Sequence, residues 1–168
     1  LLSRRQRQMC IRDSIMGMRY QNKKQQKDKN EFEFTDDAFI DGLIEKLPYE
    51  LTGAQKKTID EIKQDIKSPY VMQRLIQGDV GSGKTIVAFL LMAWASKCGY
   101  QSAIMAPTEV LANQHYETFC SLVSQFGLDS PVVRLTGSMT AKQKREAYAR
   151  LENEKNALII GTHALIQE

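Results

Sequence analysis

Gly78, Asp79, Val80, Gly81, Ser82, Gly83, Lys84 and Thr85 run consecutively as GDVGSGKT, and Gly78, Gly83, Lys84 and Thr85 meet every defining position of a phosphate-binding loop. Each residue type answers a physical demand. Glycines let the backbone curl until successive N–H groups face one anion, and they leave no side chain in its way. Lys84 supplies an ammonium for the β- and γ-phosphates, Thr85 a hydroxyl for Mg²⁺, and a helix starting here would turn the positive end of its dipole to the same anion. The chemistry implied is the seating of a nucleoside triphosphate with its magnesium ion.

Such a loop works only between a strand and a helix, so its flanks are the first test. Met72 to Gln77 (MQRLIQ) is a short apolar-leaning run that predicts the strand. Ile86, Val87, Phe89, Leu90, Leu91 and Trp94 predict a largely apolar helix running to Lys97, with Gly99 as its stop.

The same alternation continues in both directions. Upstream, Thr35, Asp36 and Asp37 suit a helix start, with Phe39, Ile40, Leu43, Ile44 and Leu47 on one face before Pro48. Thr52 can cap a second helix that buries Ala54, Ile59, Ile62 and Ile66 and closes at Ser68-Pro69. Downstream, Ser102 to Ala106, Val132 to Leu135 and Ala157 to Ile160 read as strands. Between them lie a helix from Glu109 to Phe126, ended by Gly127, and a charged helix from Thr140 to Asn153 with Ala147, Tyr148 and Leu151 inward. Strands separated by helices predict an α/β fold with a parallel sheet, helices on both faces, and ligands at the carboxyl ends of the strands.

Composition bounds what the chain can be. Its 168 residues are 42% apolar, enough for one domain with a core, and no run approaches the roughly 18–20 apolar residues of a membrane span. A basic N-terminus without an apolar segment behind it does not fit a secretory signal. Cys10, Cys98 and Cys120 are odd in number and widely spaced, which predicts free thiols in a reducing compartment, the cytoplasm by default. The net charge of +3 is no evidence for nucleic-acid binding, because residues 1–30 hold nine basic against two acidic residues, so the remainder is net acidic.

The chain starts at Leu1 and stops at Glu168, and it reads as a fragment. Residues 1–14 have no usable periodicity and look like translated adapter sequence, an authentic basic arm being the alternative. Residues 21–30 are polar throughout and put a boundary near residue 31.

Taken in order, several segments resemble lobe 1 of a superfamily 2 helicase motor, closest to the RecG family of bacterial branch-migrating DNA helicases. LPYELTGAQ at 47–55 is similar to the adenine-recognising Q motif, GDVGSGKT to motif I, MAPTEVLANQH at 105–115 to motif Ia, LTGS at 135–138 to motif Ib and GTH at 161–163 to motif Ic. The resemblance covers residues 31–168 and implies a truncated, RecA-like P-loop NTPase lobe that uses ATP and Mg²⁺ and acts on forked or branched DNA in recombination and repair. Gln55 would meet adenine N6 and N7 with its amide, which carries one donor and one acceptor; Tyr49 would pack by the base or act as a hydrophobic staple. Residues 78–85 would hold the phosphates, with Lys84 and Thr85 serving catalysis.

For DNA, the resemblance implies backbone contacts from Thr108, Gln114, His115, Thr136, Gly137, Ser138, Thr162 and His163, without base specificity. Ordinary alternatives stand beside these: a helix cap for Thr108, a packed or solvated ring for His115, plain turns for Thr136, Gly137, Ser138, Thr162 and His163. The aspartate and glutamate of motif II and a second lobe with its arginine do not follow any strand here, so the 168 residues are expected to bind ATP without hydrolysing it. Two other readings remain open: the translocase module of a transcription-repair coupling factor, and a P-loop ATPase whose partner is a protein.

Overall fold

The computed structural model of the chain describes residues 29–165; residues 1–28 of the basic segment singled out above, Cys10 included, lie outside them. The described residues fall into two compact units, one comprising residues 29–32 and 60–76, the other residues 33–59 and 77–165.

In the larger unit, α1 (Asp37–Glu45) starts where the Asp36 side chain accepts a hydrogen bond from the Phe39 N–H, and it buries Ile40 and Leu43. Helix α2 (Gly53–Ile66) is opened by Thr52, whose hydroxyl accepts from the Gln55 N–H, and its Ile59 is fully buried. Ala54, expected on that buried side, is exposed because it lies in the first turn, ahead of the packed stretch. Helix α3 (Lys84–Lys97) buries nine of its fourteen residues, as its near-continuous apolar sequence requires. It packs against α1, with the Phe34 ring edge-on to Trp94 at 4.8 Å.

Strands β1 (Ser102–Met105), β2 (Val132–Leu135) and β3 (Leu158–Gly161) form a parallel sheet in the order β1-β3-β2. They are linked by α4 (Glu109–Phe126) and α5 (Ala141–Asn153), and a 3-10 turn (His163–Leu165) follows β3. Strand periodicity sends alternate side chains to opposite faces. On one face, Val133, Leu135 and Ile159 pack with Ala147 and Leu151 of α5. On the other, Arg134 donates to Asn113 of α4 at 2.7 Å and Ser102 to the Met92 carbonyl of α3 at 3.5 Å. Phe89 of α3 is buried against Phe119 and Phe126 of α4. The α/β parallel sheet with helices on both faces is therefore present. Tyr148 is the exception on α5: it is 46% exposed, since one inward stripe of Ala147 and Leu151 already covers the narrow β2 edge.

The expected strand at Met72–Gln77 is not formed. In the smaller unit these residues are coil; the Arg74 guanidinium is bound by Glu61 and by Asp65 (2.6 Å), and Leu75 is 86% exposed. A strand needs a paired neighbour, and a six-residue run with three polar side chains brings none of its own. The end of α2 and the turn after it are tied by Asn30, whose side-chain amide donates to the carbonyls of Ile66 (2.6 Å) and Ser68 (3.2 Å). Among the described residues, no helix is long and apolar enough to cross a membrane.

Candidate nucleotide site and strand-end edge

The phosphate loop occupies residues 78–83 and hands over to α3 at Lys84. Gly83 is the N-cap with φ 78°, a left-handed conformation that side-chain-bearing residues rarely adopt. A Cβ there would also stand 2.3 Å from the Gln55 amide nitrogen. The loop closes on itself through Ser82 N–H to the Asp79 carbonyl at 3.2 Å. Within it, the Lys84 ammonium donates to the carbonyls of Gly78 (2.8 Å) and Asp79 (2.6 Å) and to the Ser82 hydroxyl (3.3 Å). The charge is thus held where the glycines converge, and Val80 and Gly81 are solvent-exposed.

Gln55 is built into the same loop. Its side-chain oxygen accepts from the Thr52 N–H at 2.8 Å, completing a capping box on α2, and its nitrogen donates to the Ser82 carbonyl at 2.9 Å. Beside it lies a cavity of about 540 Å³, lined by Tyr49, Gln55, Gly81, Ser82 and Thr85 and closed by Thr118 and Leu122 of α4. That is within the usual size range of small-molecule sites. The sequence pattern Thr52-x-x-Gln55 signals the capping box, a role the adenine reading left out.

Of the expected DNA-contacting residues, those in the loops after the strands emerge at one edge because the sheet is parallel. Met105, Gly161 and Leu135 are paired in one row, so the segments that follow all emerge together. Ala106 N–H to the Gly161 carbonyl (2.8 Å) and Thr162 N–H to the Leu135 carbonyl (3.3 Å) carry the ladder one step further. Thr108 caps α4, its hydroxyl oxygen accepting from the Leu111 N–H at 3.3 Å, which leaves the hydroxyl proton free to be donated. Gly137, Ser138 and His163 are exposed, whereas Thr136 and Thr162 are buried. The Thr136 N–H donates to the Met139 sulfur and its hydroxyl lies 3.4 Å from that of Ser138. Gln114 is exposed on α4, and the His115 ring leans toward Phe119 at 6.4 Å.

One participant was not singled out from sequence. The Glu109 carboxylate, in the first turn of α4, accepts the Ser138 N–H at 2.8 Å. The Ser138 hydroxyl first, then the N–H groups of Ser138 and Gly137 and the nearby charge of Arg134, hold its carboxyl below the ordinary glutamate value. From sequence, Glu109 shows only as a favourable charge at a helix start.

Residues 52–168 match the model of the DEAD/DEAH box helicase family. The chain is 47% identical over 133 residues to the ATP-dependent DNA helicase RecG of Aquifex aeolicus (strain VF5), covering 79% of this chain and 16% of the relative. It is 50% identical over 129 residues to the ATP-dependent DNA helicase RecG of Staphylococcus aureus (strain MRSA252), covering 77% and 18%. It therefore spans less than a fifth of the length of these relatives. Among solved structures, RecG bound to a three-way DNA junction superimposes with a TM-score of 0.72 at 38% identity, over 90% of this chain and 20% of that one. A hypothetical ATP-dependent RNA helicase from Sulfolobus tokodaii, at 22% identity and a TM-score of 0.53 over 77% of this chain and 35% of that one, shares the fold. With its family match running from the cap of α2 through all three strands, the chain belongs to the DEAD/DEAH box helicases.

Proposed function

We propose that the chain is the nucleotide-binding part of a RecG-like, ATP-dependent DNA helicase that moves along forked or branched DNA. The observation that carries this is the joining of Gln55 to Ser82 beside the cavity, which ties a base-recognition segment to the phosphate loop. The residues fit ATP: residues 78–83 curl around a lysine ammonium, and the cavity runs from Thr85 toward Tyr49.

In this reading Lys84 leaves its carbonyls for the β- and γ-phosphates, the amides of residues 78–83 face the same oxygens, and the Thr85 hydroxyl is a ligand for Mg²⁺. Bound with ATP, Mg²⁺ neutralises charge that builds up on the phosphates. Gln55 reads adenine N6 and N7 only by giving up its bonds to Thr52 and Ser82, so base recognition loosens the loop from the cap of α2. DNA lies along the strand ends, where Thr108, Gly137, Ser138 and His163 reach backbone phosphates, Gln114 and His115 extend the surface, and Thr136 and Thr162 brace the loops from below. Such contacts repeat at every nucleotide, as stepping requires. The compartment proposed for the chain is the cytoplasm.

The 168 residues are proposed to bind ATP without turnover. Titrating a fluorescent ATP analogue with Mg²⁺ into the chain tests the reading. Saturable binding that Lys84→Ala weakens by about ten- to a hundredfold supports it; equal binding by the variant refutes it, and DNA-stimulated phosphate release above that variant refutes the lack of turnover.

A further inference from the structure

The donors that a DNA phosphate would need on the β2 loop already have an anion. The Glu109 side-chain oxygen lies 2.8 Å from the Ser138 nitrogen, and a Cβ on Gly137 would stand 3.4 Å from the same oxygen. That carboxylate oxygen therefore sits against the whole Gly137-Ser138 turn. A carboxylate and a phosphate diester are both compact oxyanions, and both bond N–H groups at closely similar distances. They cannot share the donors, because two like charges at contact repel strongly.

We propose that Glu109 is a resident stand-in for a nucleic-acid phosphate: its carboxylate occupies the Ser138 N–H against the Gly137-Ser138 turn, and a backbone phosphate of DNA takes its place on binding. This rests on the strand-end edge being the DNA-contacting surface. Gly137 and Ser138 are exposed, so a strand can approach from solvent. Glu109 is in the first turn of α4, where rotation about its own side chain suffices to release the loop. After the exchange it remains beside the helix N-terminus, which keeps the displaced charge favourable. The exchange leaves the loop with a partner in both conditions, so letting go of a phosphate does not strand bare donors. A contact that must be made and broken at each step gains from that balance.

The test is Glu109→Gln, which keeps an acceptor and removes the charge, alongside Glu109→Ala. Affinity for a fluorescein-labelled single-stranded oligonucleotide is measured by anisotropy, and amide shifts are followed by NMR in the same chain. Both variants are expected to bind the oligonucleotide on the order of five- to tenfold tighter, since a competing charge-assisted hydrogen bond is removed. In the unsubstituted chain the oligonucleotide should move the Gly137 and Ser138 amides. Unchanged or weaker binding by Glu109→Gln overturns the proposal, because a residue that merely orders the loop would give that sign. If DNA moves the Thr108, Gln114 and His115 amides but not those of Gly137 and Ser138, the proposal falls while the DNA edge stands. If DNA moves none of these amides in any variant, the DNA edge itself is wrong and the proposal goes with it.

Discussion

The Gln55 side-chain nitrogen lies 2.9 Å from the Ser82 carbonyl while its oxygen accepts the Thr52 N–H at 2.8 Å, so one amide holds both the first turn of α2 and the phosphate loop. The two ends can be separated by mutation. Gln55→Glu keeps the acceptor for Thr52 and loses the donor to Ser82, whereas Gln55→Ala loses both. We expect Gln55→Ala to cost about 1 kcal/mol of stability through the lost reciprocal bond of the capping box, and Gln55→Glu to cost less. Both should weaken binding of the ATP analogue. Denaturant melts together with titrations of the two variants check this; equal destabilisation would show that the cap bond contributes nothing.

Lys84 is exposed, and among the described residues its hydrogen bonds go to its own loop. Lys84→Ala should therefore leave the thermal midpoint nearly unchanged while weakening the ATP analogue by about ten- to a hundredfold, the worth of a charged hydrogen-bonding group. A variant that melts markedly earlier would mean that the ammonium organises the loop instead.

At Gly161 the constraint is steric. A Cβ there would stand 2.2 Å from the Leu135 carbonyl oxygen and 2.7 Å from the Leu165 side chain. Backbone cannot yield as a flexible side chain does, so Gly161→Ala should destabilise by about 1–3 kcal/mol and shift the amide resonances of Leu135 and Thr162. A variant as stable as the parent, with those resonances unmoved, would contradict the close approach.

Phe89 is fully buried, edge-on to Phe119 at 5.2 Å and stacked near Phe126 at 6.0 Å. Phe89→Ala should cost about 3–5 kcal/mol, a large part of the stability of a domain this size. Chemical denaturation is the measurement, and a cost below about 1 kcal/mol would show that α4 does not depend on α3 as described.

The Glu109 carboxyl titrates below the ordinary glutamate value, held down by Ser138, Gly137 and Arg134. A lowered value in the folded chain means that the contact is complete above the unfolded value and is lost as pH falls through the lower, folded one. The Ser138 amide shift should follow that loss, with a midpoint below that of a free glutamate. A midpoint at or above it would deny the contact.

Much of this was legible from local chemistry. Thr108, Gly127 and Thr140 mark helix ends in the sequence because capping is decided by a few neighbouring residues, and the structure places them as N-cap, C-cap and N-cap. The three strands are likewise short β-branched or apolar runs between such signals. Met72–Gln77 failed because pairing is non-local: nothing inside six residues says whether a neighbouring strand is at hand. Tyr148 misled for a related reason, since helical spacing gives a face but not the width of what it must cover. Glu109 escaped notice as the partner of Ser138, and Gln55 as the partner of Ser82, because those hydrogen bonds reach 29 and 27 residues along the chain, beyond any spacing rule.

The row of Met105, Gly161 and Leu135 sets three loops at a common height, and this makes the sheet a ruler as much as a scaffold. A slip of one residue in β3 would turn its side chains to the wrong layers and at once misalign Thr162 and His163 against Thr108 and Ser138. The relative spacing of the three loops is thus written into backbone pairing, where no exchange of surface side chains can retune it.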